Sequence, residues 1–177
     1  MPSMASRLVQ CAVAAGMAAP SICIACWSDA ERLYGVSSHL LYAVARAESD
    51  LQPAAVNLTH RARTGTYDIG LMQINSSHLP KLASLGISES DLLEPCTNIK
   101  VGAWLLADSF ARRGVSWDAV GAYNAACTQL KGDDCAAARS RYAWRVYRRL
   151  PGEQAKSRSQ QAAPASRTPP ASPAPAP

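Results

Sequence analysis

Apolar residues return at helical spacing through most of the stretch from residue 26 to residue 150, and one short run, 67–75, reads as a strand. That imbalance reads as a mostly helical core with one β-like stretch. Start and stop residues divide the helices. Ser28, with Glu31 three residues on, forms a capping box for a first helix that Gly35 ends. Ser38 caps a second helix running to about Ser49, and Pro53 keeps it from continuing. A polar loop over 52–66 leads into the strand-like run. Ser77 starts a helix that Gly86 closes, and Ser88 and Asp91 frame a single turn. Thr97 caps a long helix ended by Gly114, and Ser116 opens another. The last helix runs from about Asp134 to Leu150, with Tyr142, Val146 and Leu150 on its apolar face.

Both ends of the 177-residue chain fall outside this pattern. Residues 1–25 read as a cleaved secretory signal. Arg7 precedes an apolar segment too short to span a bilayer, Pro20 breaks it, and Ala25 offers a small residue at the cut. An uncleaved N-terminal anchor is the competing reading. From Pro151 to Pro177 the composition is Pro, Ala, Ser and Gln with no apolar period, so this segment reads as a disordered tail. One domain over 26–150 remains, and an exported, periplasmic address is expected.

Six cysteines occur, of which Cys11 and Cys23 lie in the signal segment. An even set in an exported chain favours two disulfides. Cys127 and Cys135 are close enough to close one loop, which leaves Cys26 for Cys96. A metal site competes weakly: there is no CxxC pair, and His39, His60 and His78 are scattered. The formal charge of +5 suits an anionic polymer, and the expected address favours cell-wall glycan over nucleic acid. Cations at a helix C-terminus that merely offset its dipole are the alternative.

Three short stretches carry chemistry. In the second helix Leu41, Val44, Ala45 and Glu48 fall on one face, so Glu48 sits where an apolar stripe ends. Partial burial and a helix C-terminus both disfavour its charged form, which is what a general acid needs. A Glu48 turned outward, or paired with Arg46 or Lys100, is the alternative. The run "DIGLMQIN" puts Gly70 and the amides of Gln73 and Asn75 among large apolar groups. Strand alternation would place Ile69, Leu71 and Gln73 on one side and Gly70, Met72 and Ile74 on the other. Amides hydrogen-bond sugar hydroxyls and acetamido groups, and Gly70 allows close backbone approach to a ligand. In "AYNA", Tyr123 could reach the Glu48 carboxyl, or could serve packing and capping alone.

Taken in order, "ARAES", "YDIGLMQIN", "PCTNIKVGAWLL" and "AVGAYNAA" resemble the SLT-type lytic transglycosylases, and more narrowly their VirB1/IpgF-like members. The resemblance covers about residues 26 to 150. It implies a lysozyme-like α+β fold, mainly helical with a small β element, and cleavage of the β-1,4 bond between N-acetylmuramic acid and N-acetylglucosamine in peptidoglycan, without a cofactor. It implies Glu48 as the catalytic acid and Met72 and Gln73 as glycan-contacting positions, with Tyr123 and Asn124 matching the family's Tyr–Asn pair; Asn75 joins this substrate-binding set through the chemistry of its amide. It implies a non-hydrolytic course. Glu48 protonates the glycosidic oxygen, the muramyl acetamido group stabilises the oxocarbenium ion, and Glu48 then takes the C6 hydroxyl proton as a 1,6-anhydro ring closes. It also implies service to a secretion, conjugation or pilus apparatus, whose subunits would be partners.

Asp68 opens a second branch. "DIGLMQINS" is also similar to the corresponding stretch of c-type lysozymes, where an aspartate is the second catalytic carboxylate, and Asp68 follows Glu48 by 20 residues. A two-carboxylate muramidase is therefore the alternative, with Asp68 catalytic or else orienting loop amides. A non-catalytic assembly factor is the third reading. Trp104, Leu105 and Phe110 are expected in the core, Trp117 and Trp144 in packing, and His60 in a solvated loop.

Overall fold

The computed structural model describes residues 24–127 and 129–152. The expectations for the signal segment up to residue 23 and for the tail from residue 153 lie outside the described residues. The described residues form seven α-helices and one small sheet: α1 (Ile24–Tyr34), α2 (Ser38–Glu48), α3 (Arg61–Thr64), α4 (Leu79–Ala83), α5 (Pro95–Arg113), α6 (Trp117–Asn124) and α7 (Gly132–Tyr147). The strands β1 (Val56–Asn57), β2 (Asp68–Ile69) and β3 (Ile74–Asn75) form an antiparallel sheet in the order β1-β2-β3. No helix among the described residues is long and apolar enough to cross a membrane.

α5 is the spine. Its first turn opens with Pro95, and the Glu94 carboxylate accepts the Thr97 amide at 2.8 Å. The cap is thus Glu94, three residues ahead of the Thr97 expected from sequence. Ile99, Ala103 and Leu106 are fully buried in one core with the buried stripe Leu41, Val44 and Ala45 of α2, and α5 packs on both α1 and α2. Full burial of one Leu or Ile side chain stabilises by about 1.5–3 kcal/mol, so this seam holds α2 in place.

The first capping box does not form. α1 starts at Ile24, and Ser28 lies inside it, donating to Ala25 O at 3.1 Å. Glu31 instead turns to the next helix and accepts the Ser38 amide at 3.1 Å, because Ser37 at the cap position leaves the first amides of α2 without a side-chain partner. At the other end Ser116 caps α6 through the Ala119 amide, as its type predicts. Both expected disulfides are present, Cys26–Cys96 tying α1 to α5 and Cys127–Cys135 closing the segment before α7.

The strand-like run 67–75 is a hairpin rather than a single strand. Asp68–Ile69 and Ile74–Asn75 pair across a turn in which the Gln73 amide donates to Gly70 O at 3.0 Å. Gly70 (φ 75°) and Gln73 (φ 51°) both take left-handed backbone, which breaks the alternation a strand would need. Leu71 and Met72 therefore both point into the core. The polar loop over 52–66 contains β1 and the single turn of α3.

Candidate active site

Glu48 is the last residue of α2, half-buried at the rim of the core. The chain turns away at once: Asp50 (φ 52°) and Leu51 (φ 67°) take consecutive left-handed conformations. Arg46, a candidate partner for Glu48, pairs with Asp50 at 2.9 Å instead. The Glu48 carboxyl receives the hydroxyl of Tyr142, which donates to Oε1 at 2.5 Å from the far side of the site. Burial raises the pKa of Glu48 to about 7. The Tyr142 hydrogen bond and the positive charge of Arg145 work against that rise, and the charge of Asp68 adds to it. Burial and the nearby carboxylate hold Tyr142 protonated, so it acts as the donor.

The expected route from Tyr123 to Glu48 is not taken. Tyr123 donates to Met72 O at 2.9 Å, while its ring stacks on Tyr142 with centroids 6.5 Å apart. Tyr142 was read from sequence as an apolar residue of the last helix. Its hydroxyl is what the periodicity argument leaves out: a buried phenol needs a partner.

The turn 70–73 is saturated with hydrogen bonds from the protein itself. Asn98, fully buried in α5, accepts the Met72 amide at 2.6 Å and donates to Ile69 O at 3.0 Å and Leu92 O at 2.7 Å. Ser49 donates to Leu71 O at 2.7 Å. Gln73 donates through Nε2 to Gly70 O at 2.8 Å and to Ala55 O at 3.2 Å. A Cβ at Gly70 would collide with the Asn98 amide and Leu92 O. Gly70 thus admits Asn98, where the sequence suggested a ligand. Met72 is fully buried against Gly102, where an added Cβ would meet Met72 Cε at 2.8 Å. Its side chain is core and offers no surface to glycan, contrary to expectation. Together these bonds fix the hairpin against the end of α2, where Glu48 lies.

Asp68, Asn57 and Asn75 stand in register across the three strands. Asn75 donates to Asp68 Oδ1 at 2.8 Å and Asn57 to Oδ2 at 3.5 Å, with His60 Nδ1 3.7 Å from the same oxygen. His60 is thus partly buried against Asp68 rather than free in solvent. Asn75 also caps the following turn through the Ser77 amide. Asn124, at the end of α6, is exposed. Trp117 and Trp144 were expected in packing, yet they are 44% and 56% exposed, each edge-on to Tyr147. Among the described residues no group of three or more His, Cys, Asp or Glu side chains is placed to hold a metal.

A mainly helical lysozyme-like domain with a small sheet, holding one half-buried carboxyl at a helix end under a tyrosine hydroxyl, defines the class. Residues 25–140 match the family described as "Transglycosylase SLT domain". The chain belongs to that family, and its activity is that of a lytic transglycosylase. It is 44% identical over 138 residues to invasion protein IagB of Salmonella typhimurium strain SL1344, covering 76% of this chain and 82% of the relative. It is 38% identical over 125 residues to protein IpgF of Shigella flexneri, covering 70% of this chain and 78% of the relative. The fold is similar to that of an inactive mutant of the lytic transglycosylase Slt from Pseudomonas aeruginosa, with a TM-score of 0.55 and 21% identity. That match covers 76% of this chain, which spans about a quarter (24%) of the Slt chain.

Proposed function

We propose that this enzyme cleaves the β-1,4 bond between N-acetylmuramic acid and N-acetylglucosamine in peptidoglycan and releases a 1,6-anhydro product. The observation that carries this reading is the state of Glu48. A carboxyl with a pKa of about 7 is protonated often enough to give its proton to the glycosidic oxygen, and ionised often enough to take one back. The Tyr142 hydroxyl steadies Oε1 when the carboxylate forms. The muramyl acetamido oxygen supports the oxocarbenium ion, and Glu48 then removes the C6 hydroxyl proton as the ring closes. One carboxyl serves both steps, so no second one is required.

Asp68 is the reason to weigh a two-carboxylate hydrolase. Both of its oxygens face Asn57 and Asn75 of the neighbouring strands, which favours a role in fixing the sheet beside Glu48. In this reading Tyr123 and Gln73 hold the hairpin through Met72 O and Gly70 O, while Asn75 and the exposed Asn124 are the residues that meet glycan. The work is done in the cell-wall space, after export. Similarity to a relative named an invasion protein supports local opening of the wall for a machine that must cross it.

Digestion of purified sacculi with mass analysis of the products tests the reaction. Anhydro-muropeptides, lighter than reducing muropeptides by one water, are the expected products, and they disappear with Glu48→Gln. Reducing-end products alone would overturn transglycosylation, and unchanged products from Glu48→Gln would remove Glu48 as the acid.

A further inference from the structure

A groove of about 420 Å³ lies between the start of α6 and one face of α7. Three aromatic rings wall it. The exposed indoles of Trp117 and Trp144 stand nearly at right angles to the Tyr147 ring, with centroids 5.5 Å and 5.3 Å away. The remaining lining residues of α7 are only alanine and serine, which leave the space between the rings open. Among the described residues Asp118 is the one charged group in the lining. It holds a single guanidinium nitrogen of Arg139, at 3.1 Å and 3.4 Å, and stays 54% exposed. A carboxylate offers about four acceptor sites, so Asp118 has acceptors to spare. Exposed indoles around an open slot, with an acid at its rim, mark a surface that takes a partner. Aromatic-lined slots of this kind accept polyproline II segments, because that helix is preformed and costs little to order.

We propose that this groove is the docking site of the chain's own segment 167–173, "RTPPASP". A polyproline II helix has three residues per turn, so Arg167, Pro170 and Pro173 fall on one face of it. The two prolines enter the slots beside the indoles, and Arg167 reaches Asp118. Charge is complementary: the residues from 153 on carry Lys156, Arg158 and Arg167 against Glu153 alone. The connection is also long enough. Residues 153–166 span up to about 45 Å when extended. The lined stretch of α7, from Ala136 to Tyr147, is roughly 16 Å long. The segment can therefore turn back over the helix it follows. Tethering gives it an effective concentration of about 1 mM, enough to hold a contact too weak for a free peptide at micromolar concentration. Trp144 also lines the cleft that contains Tyr142, so the docked segment borders the route to Glu48.

The test uses the full chain, the same chain carrying Pro170→Gly and Pro173→Gly, and a synthetic peptide of residues 164–177. In nitrogen–proton correlation spectra the indole N–H signals of Trp117 and Trp144 differ between the two chains, while that of the buried Trp27 does not move. The peptide binds the double variant with a Kd of about 0.1 mM and the wild type about ten-fold more weakly, because the native segment already fills the groove. Arg167→Glu in the peptide weakens binding several-fold. Trp144→Ala in the double variant abolishes it, and the exposure of Trp144 lets the fold survive that change. Unmoved indole signals, equal peptide affinity for the two chains, or binding that persists after Trp144→Ala overturns the proposal. So does an indole difference that appears only as protein concentration rises, which would seat the segment in the groove of a second copy. Signals that move with an N-acetylglucosamine tetramer and not with the peptide give the groove to sugar and overturn it as well.

Discussion

Tyr142 and Glu48 lie 94 residues apart in sequence, and the phenol hydroxyl of the one donates to the carboxyl of the other at 2.5 Å. This bond joins α7 to the end of α2 and opposes the burial that raises the Glu48 pKa. Two further contacts stabilise the donor. Tyr123 stacks on its ring at 6.5 Å, and Arg145 covers it at 4.9 Å. The acid, its tyrosine and the arginine therefore form one unit, and changes at any of the three are read out through the carboxyl.

Tyr142→Phe keeps the ring and removes the donor. The Tyr142 hydrogen bond lowers the Glu48 pKa, so its loss moves that pKa above about 7. The alkaline limb of the kcat/KM profile then shifts to higher pH. The plateau falls by roughly ten- to a hundred-fold, because the carboxylate is no longer held in direction. A pH–rate series on sacculi checks both. A lower plateau with an unmoved limb would mean that the hydroxyl does not touch the titrating group.

Glu48→Gln removes a group whose ionisation opposes folding. The folded pKa is about 7 against 4.5 for an ordinary glutamate, so the folded protein binds the extra proton between those limits. Stability contributed by this site is fully present below pH 4.5 and is lost as pH rises through about 7. The loss amounts to roughly 3 kcal/mol. At pH 8 the Gln variant is thus more stable than wild type by an amount of that order, and near pH 4 the advantage vanishes. Urea unfolding at both pH values measures it, while kcat/KM falls by about a hundred- to ten-thousand-fold.

Asn98→Leu breaks the clamp on the hairpin. It strands the Met72 amide and the Ile69 and Leu92 carbonyls in the core, three groups that Asn98 now satisfies. Each buried orphan costs about 1–3 kcal/mol, so a loss of several kcal/mol is expected. Thermal unfolding checks this. A variant with unchanged Tm would show that water or relaxation replaces Asn98 without cost.

Six of the seven helices and the placement of Glu48 at an apolar rim were legible from local spacing, and the Cys127–Cys135 pair left only Cys26 for Cys96; α3 was hidden because its four residues lie in a polar stretch with no apolar period. The caps were less so: Glu31 and Glu94 were chosen by the geometry of approaching chain ends, and a capping box at Ser28 fitted the letters equally well. The hairpin was hidden because Gln73, a residue that rarely takes φ of 51°, accepts left-handed backbone here under tertiary restraint. Asn98 and Tyr142 were illegible for one reason. Their worth lies in partners 26 and 94 residues away, and periodicity reports only which face a residue occupies.

The two disulfides differ in the loops they close, and that difference predicts unequal losses. Cys26–Cys96 spans 70 residues and links α1 to α5, whereas Cys127–Cys135 spans 8. In the chain-entropy account, cross-linking the longer loop contributes about 4 kcal/mol and the shorter about 2.5 kcal/mol. Replacing Cys26 and Cys96 with Ala should therefore lower stability more than replacing Cys127 and Cys135. The shorter loop has the closer tie to the site, since it leads into α7, which carries Tyr142 and Arg145. Its removal is expected to leave urea unfolding less affected and to weaken the Tyr142 hold on Glu48, moving the alkaline limb upward as Tyr142→Phe does. If the short-loop variant instead loses more stability than the long-loop one, the order of these contributions is set by packing around Cys135 rather than by loop entropy.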